Sequence, residues 1–222
     1  MKKNLPQEIL KLIACVTMLL DHIGAAILPS TGLRVIGRIS FPIFCFLLAE
    51  GIAHTRNPKK YGLRLLIGAL LAEVPFDLLF YGGLTFAHQN VMLTLLLGFL
   101  AAMWMKKTGK IMLPFAVCFF AAEFLRTDYG GYGIALIALF FISREHPYKV
   151  LIQLIGMALV MWMMNSMPVP IGPIRIPIQI FGVLAMVPIY LYSGEKITRN
   201  VWVQRVFYLF YPAHLAILFL IK

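Results

Sequence analysis

The chain has 222 residues, 61% of them hydrophobic and only 13% charged, with a mean hydropathy of +0.86; a soluble domain is nearer half apolar and a quarter charged, so this composition excludes one. Repeated apolar runs of about 20 residues without two-residue alternation exclude an outer-membrane barrel as well. The net charge of +11 would mark a nucleic-acid binder in a soluble protein, but these cations gather in short loops between apolar runs, a pattern of membrane topology that implies no nucleic acid.

In chain order, apolar periodicity predicts about nine membrane-spanning helices, near residues 9–29, 33–54, 61–81, 88–105, 111–126, 131–143, 148–165, 174–193 and 202–221. The expected fold is all-α: one polytopic helical bundle over residues 1–222, embedded in the lipid bilayer. The runs at 111–126 and 131–143 are short and can pair as a hairpin that does not fully cross. Lys2 and Lys3 before an apolar run resemble a signal peptide, but Asp21 and His22 interrupt that run, so it is expected to stay as the first transmembrane helix. Cys15, Cys45 and Cys118 lie mid-span without CxxC spacing and read as small buried residues.

The cations alternate from loop to loop. Lys2, Lys3, Lys11, Arg56, Lys59, Lys60, Arg64, Lys106, Lys107, Lys110, Arg144, Lys149, Lys196, Arg199 and Arg205 fall on one side. Arg34, Arg38, Arg126, Arg175 and Lys222 fall on the other. The positive-inside rule then places the N-terminus in the cytoplasm of a multi-pass plasma-membrane protein, and an odd span count places the C-terminus outside.

That topology brings the polar residues of several helices to one depth near the outer face. They are Asp21 and His22 on the first helix, Arg34 and Arg38 on the second, and Glu73 and Asp77 on the third, with Pro75 expected to kink that helix and free the Leu71 carbonyl. Gln89 and Asn90 open the fourth helix, Glu123, Arg126 and Asp128 close the fifth, and His214 lies on the last. Glu50 and His54 are the exception, one turn apart near the cytoplasmic end. Charge inside a membrane is costly, and a polar layer of this kind is more often functional than decorative. Its other reading is a set of interhelical ion pairs, as Arg38 with Glu73 would make.

Adjacent helical residues point about 100° apart, so Asp21 is poorly placed to orient His22. A general base needs a carboxylate behind it, and Glu73 or Asp77 are the candidates. His22, Asp77 and His214 are conceivable zinc ligands, but no HExxH or CxxC spacing supports a metal, and none is expected. No GxSxG elbow or phosphate-binding glycine loop occurs. The glycine-rich turn Asp128-Tyr129-Gly130-Gly131-Tyr132-Gly133 reads as a tight reversal between short helices or as a lid. The loop from Arg56 to Tyr61 reads as topology or as a cytosolic anion site.

The runs Leu20-Asp21-His22-Ile23-Gly24, Gly37-Arg38-Ile39-Ser40-Phe41-Pro42-Ile43-Phe44, Glu50-Gly51-Ile52-Ala53-His54-Thr55-Arg56, Glu73-Val74-Pro75-Phe76-Asp77, Gln89-Asn90-Val91, Asp128-Tyr129-Gly130 and Phe207-Tyr208-Leu209-Phe210-Tyr211-Pro212-Ala213-His214-Leu215 resemble the TraX family of integral membrane proteins, in order and over nearly the whole chain. The resemblance implies an acyltransferase, since the founding member acetylates the N-terminus of pilin. It also implies likeness to the wider transmembrane acyltransferase group, which moves acyl groups from cytosolic acyl-CoA to acceptors at or beyond the outer leaflet.

On that basis the expected activity is acetyl-CoA-dependent N- or O-acetyl transfer to a peptide N-terminus, an amino sugar or another amine or hydroxyl compound. His22 is the expected base, Glu73 or Asp77 its orienting group, and Asn90, Gln89 or Arg38 the stabiliser of the oxyanion. Asp21 is a motif residue without an assigned role. Arg56, Lys59, Lys60, Arg64 and His54 are the candidates for holding the donor's phosphates, and Gln89, Asp128, Tyr129 and His214 for meeting the acceptor. The alternatives are a proton-coupled small-molecule transporter using the same carboxylates and histidines, or a structural membrane subunit. A homo-oligomer is compatible with all three.

Overall fold

A computed structural model describes residues 4–164, 166–198 and 200–222. Lys2, Lys3 and Arg199, which entered the charge count, lie outside the described residues, as does the side chain of Arg205. The chain is built from helices α1 (Gln7–His22), α2 (Thr31–Gly37), α3 (Ser40–His54), α4 (Pro58–Tyr81), α5 (Val91–Thr108), α6 (Met112–Phe124), α7 (Gly130–Ser143), α8 (Lys149–Met163), α9 (Met186–Tyr190) and α10 (Val201–Ile221). A π-helical turn, Ile23–Ile27, extends α1, and a hairpin of β1 (Pro168–Ile171) and β2 (Ile174–Pro177) precedes a 3-10 helix, Ile178–Ala185.

Among the described residues, three helical stretches are long and apolar enough to cross a membrane: Gln7–Ile27, Thr31–His54 and Val91–Thr108. Five further apolar helices are shorter, so the expectation of nine spans is not established. The run at 174–193, whose apolar helical stretch is Ile178–Tyr190, is corrected at its start. It opens in β2, because Pro168, Pro170, Pro173 and Pro177 remove helix donors and Gly172 turns the hairpin at φ +58°. Its helical part begins only at Ile178.

The second predicted span, 33–54, falls within Thr31–His54, one of the three stretches long enough to cross, with a turn at Arg38 and Ile39. Pro42 has no N–H to offer the Arg38 carbonyl, and α2 passes into α3 through that turn. Pro75, by contrast, is carried inside a continuous α4.

The chain divides into two compact units, one of Met1–Phe44, Val150–Phe210 and Lys222, the other of Cys45–Lys149 and Tyr211–Ile221. In the first unit, α2 folds back on α1. Ser30 caps α2 through its Oγ, which accepts from Leu33 N at 3.4 Å. Two glycines set the approach: a Cβ at Gly24 would lie 2.8 Å from Leu33 Cβ, and one at Gly37 would lie 2.2 Å from Asp21 Cβ and 2.7 Å from its Cα. The Gly37 contact is against backbone, which cannot swing away. Gly37→Ala is therefore expected to cost about 1–3 kcal/mol by forcing α2 off α1, read as a lowered thermal midpoint of the purified protein.

In the second unit α4, α5, α6 and α7 run up and down in hairpin order. Ala101, Met105, Cys118, Ala122, Ile134 and Ala138 form a buried cluster at the α5–α6–α7 seam. Small side chains let these helix backbones approach closely, as helices in lipid require. The two short predicted spans, now α6 and α7, do pack against each other. Their glycine-rich turn follows the reversal reading: Gly130 has φ +50°, and Glu123 accepts a hydrogen bond from Gly131 N at 2.7 Å, capping α7.

Candidate functional site

The polar residues gather at three places, one in the first unit and two at opposite ends of the second. In the first unit, Asp21 occupies the last turn of α1, is 8% exposed, and meets the residues at the end of α2. The Arg38 guanidinium donates to Asp21 Oδ2, and Arg34 Nε lies 3.3 Å from Oδ1. Arg38 is itself buried, at 6% exposed, with its Nε donating to the Arg34 carbonyl at 3.3 Å. Asp21 thus has the role that the spacing left open: it neutralises two arginines in the α1–α2 hairpin. Glycine at position 37 is what lets the helices close far enough for the pair to form.

His22, the next residue, is half-buried and ends α1. The helix widens there, with Leu28 N donating to Ile23 O at 2.9 Å across the π turn. Such turns recur at functional sites because they re-aim the side chains beside them.

The α4–α5 end of the second unit holds most of the remaining predicted residues. Asn90 caps α5, its Oδ1 accepting from Met92 N at 2.9 Å. Its Nδ2 donates to Ala69 O at 2.8 Å and to Glu73 Oε2, and its backbone N–H also donates to Glu73 Oε2, at 3.2 Å. A primary amide has two hydrogens, so in this arrangement Asn90 has none left for an oxyanion. It is a positioning residue for Glu73.

Asp77 is 2% exposed, and its Oδ2 accepts from Thr85 N at 2.8 Å. Gln89, half-buried, pairs through its backbone with the 126–127 turn, N donating to Arg126 O at 3.1 Å. Asp128 is exposed and Tyr129 half-buried on the same turn. Buried His214, on α10, packs 5.6 Å from the Tyr211 ring. Sequence reasoning passed over Tyr81 and Tyr211, although Tyr81 lies within electrostatic reach of Asp128, Asp77 and Glu73, and Tyr211 within reach of Asp128 and Glu73.

The opposite end of the second unit holds the basic candidates. Arg56, Lys59, Lys60 and Arg64 are all exposed around the start of α4, where Asn57 Oδ1 accepts from Lys60 N at 3.0 Å. The Arg64 guanidinium lies 5.5 Å from the centre of the Tyr61 ring. Exposed His54 is drawn elsewhere, into a cluster that spacing could not foresee: Arg144 Nε donates to Glu50 Oε1 at 2.8 Å, and Arg144 Nη2 lies 3.0 Å from His54 Nε2. Lys106 Nζ donates to the Ile52 carbonyl at 3.1 Å, closing the end of α3. Among the described residues no group of three or more His, Cys, Asp or Glu is arranged to hold a metal ion.

The family model described as "TraX protein" matches residues 6–222. The chain belongs to the TraX family. A relative of this TraX chain, described as a probable fimbrial assembly protein FimC of serogroup H1 from Dichelobacter nodosus, is 32% identical over 231 aligned residues, covering 94% of this chain and 92% of the relative. An uncharacterized protein of Rickettsia prowazekii (strain Madrid E) is 28% identical over 147 residues, covering 63% of this chain and 56% of the relative. No solved structure matches it significantly. The family match and the long apolar helices together mark a membrane protein.

Proposed function

We propose that this TraX-family chain is a membrane-embedded acetyltransferase. It would move an acetyl group from cytosolic acetyl-CoA to an amine or hydroxyl acceptor on the outer side of the plasma membrane, as in the modification of a pilin or fimbrial subunit. The observation that carries the reading is the family match from residue 6 to the last residue, supported by a relative named for fimbrial assembly that aligns over 94% of the chain. Acetyl-CoA supplies an activated thioester. The acceptor's lone pair attacks the carbonyl carbon, the C–S bond breaks, and the CoA thiol leaves while the acceptor gives up a proton. His22 is assigned that proton, and Arg38, fixed by Asp21, is assigned the charge that builds on the carbonyl oxygen. The exposed cations Arg56, Lys59, Lys60 and Arg64 suit the donor's phosphates by charge and access. The orientation with the N-terminus inside is part of this proposal, since it places those cations in the cytosol.

The test is label transfer. Purified full-length protein in nanodiscs is incubated with radiolabelled acetyl-CoA and a panel of free-amine peptides, amino sugars and alcohols. Labelled acceptor is the expected result. The reading is overturned if no acceptor is labelled while proteoliposomes of the same protein carry a pH-driven flux, the behaviour of a proton-coupled transporter.

A further inference from the structure

Among the described residues, four oxygen atoms at the α4–α5 end of the second unit are buried and lack a hydrogen-bond partner: Glu73 Oε1, Asp77 Oδ1, Thr94 Oγ1 and Thr127 Oγ1. Their residues are already fixed through other atoms. Glu73 Oε2 is held by Asn90, Asp77 Oδ2 by Thr85 N, and Thr127 by its backbone, whose N–H donates to Ala122 O at 3.0 Å. The open oxygens therefore do not come from loose side chains. Glu73 and Asp77 lie one turn apart on α4, and the backbone bridge from Gln89 to Thr127 joins the Thr127 turn to the residue before Asn90, which holds Glu73. Thr127 is 5% exposed and Asp77 is 2% exposed.

A buried acceptor left unpaired costs free energy, and a native structure keeps one where something else supplies the donor. Here two of the four are carboxylate oxygens, and a third carboxylate, Asp128, acts on the same two tyrosines as Glu73. The surroundings are negative and aromatic: Tyr81, stacked at 5.8 Å on His88, and Tyr211, hydrogen-bonded to the Val91 backbone. Oxygen acceptors, negative charge and aromatic faces are the complement of a cationic nitrogen with several N–H donors.

We propose that Glu73, Asp77 and Thr127 form a binding site for a primary ammonium group, with Tyr81 and Tyr211 as its walls. That the ammonium belongs to the acyl acceptor rests on the acetyltransferase reading; the binding site itself does not. An ammonium brings three N–H donors and a positive charge, which two carboxylate oxygens and a hydroxyl complement. A neutral hydroxyl offers one donor and no charge, so the site discriminates amine from alcohol.

Isothermal titration of the full-length protein in nanodiscs, without acetyl-CoA, tests this with two peptide amides. One is Phe-Ala-Ala amide with a free N-terminus, and the other carries 3-phenylpropionyl in place of Phe, which removes only the ammonium. The free amine is expected to bind roughly tenfold to a hundredfold more tightly, the worth of charge-assisted hydrogen bonds. Asp77→Asn keeps an acceptor for Thr85 N and is expected to flatten the preference. Thr127→Val, nearly isosteric, is expected to weaken amine binding several-fold, and it serves as the test if Asp77→Asn does not fold. Equal affinity for the two peptides, binding of neither, or a preference that survives the substitution in a folded variant overturns the site. Because no donor is present, a clear preference without any later acetyl transfer would sink the enzyme reading and leave the ammonium site standing. Transfer without preference does the reverse.

Discussion

His22→Ala is expected to lower acetyl transfer by about 10²–10⁴-fold, the usual contribution of a positioned base. His22 is only half-buried at the junction of α1 and its π turn, so its removal leaves the neighbouring Asp21–Arg38 pair intact. The variant should therefore stay monodisperse, with its thermal midpoint close to the parent's. Those two measurements separate chemistry from folding, because a merely structural histidine would lower stability and activity together. His22→Gln keeps hydrogen-bonding capacity without the proton affinity and is expected to be as inactive as alanine. Transfer at the parent rate by either variant removes His22 from the mechanism.

How far the sequence foretold this arrangement depends on the range of the interaction. Residues whose partners lie on the same helix or across one tight turn were legible: the reversal at Gly130 and the one-turn spacing of Glu73 and Asp77. The polar layer was legible as a set because membrane burial makes every charge conspicuous. Partnerships were not. Arg38 was offered to Glu73, whereas it holds Asp21; the signal that was overlooked is Gly37, which only an intimate α1–α2 contact explains. Arg144 was counted as topology, and its contact with Glu50 across 94 positions leaves no trace in local spacing. Asn90 was read by its chemistry as an oxyanion donor, but a residue before an apolar helix is a cap first, and its amide was already spent on Ala69 and Glu73. The predicted span at 174–193 was misplaced at its start for a simpler reason. Hydropathy counts apolar residues and ignores proline, so the strand Ile174–Pro177 was taken into a helix that starts only at Ile178.

The Asp21–Arg38 pair also makes the strongest prediction about stability. Arg38→Met leaves Asp21 buried with only the half-exposed Arg34 beside it, and is expected to cost about 3–5 kcal/mol, the penalty for breaking a buried ion pair from one side. Asp21→Asn is expected to be similarly costly, because it strands a guanidinium that is 6% exposed. The double variant should recover part of the loss, since its two neutral side chains need no counter-charge from each other and a pair's desolvation largely offsets its attraction, while Arg34, 31% exposed, is left to solvent. Chemical denaturation of the four proteins gives the coupling energy directly. Additive losses would mean that the two residues act independently, and the α1–α2 hairpin would then owe its closure to glycine packing alone. Recovery of stability without recovery of transfer is the outcome the proposed mechanism expects: it would mean that the charged pair is dispensable for folding but not for the role proposed for Arg38.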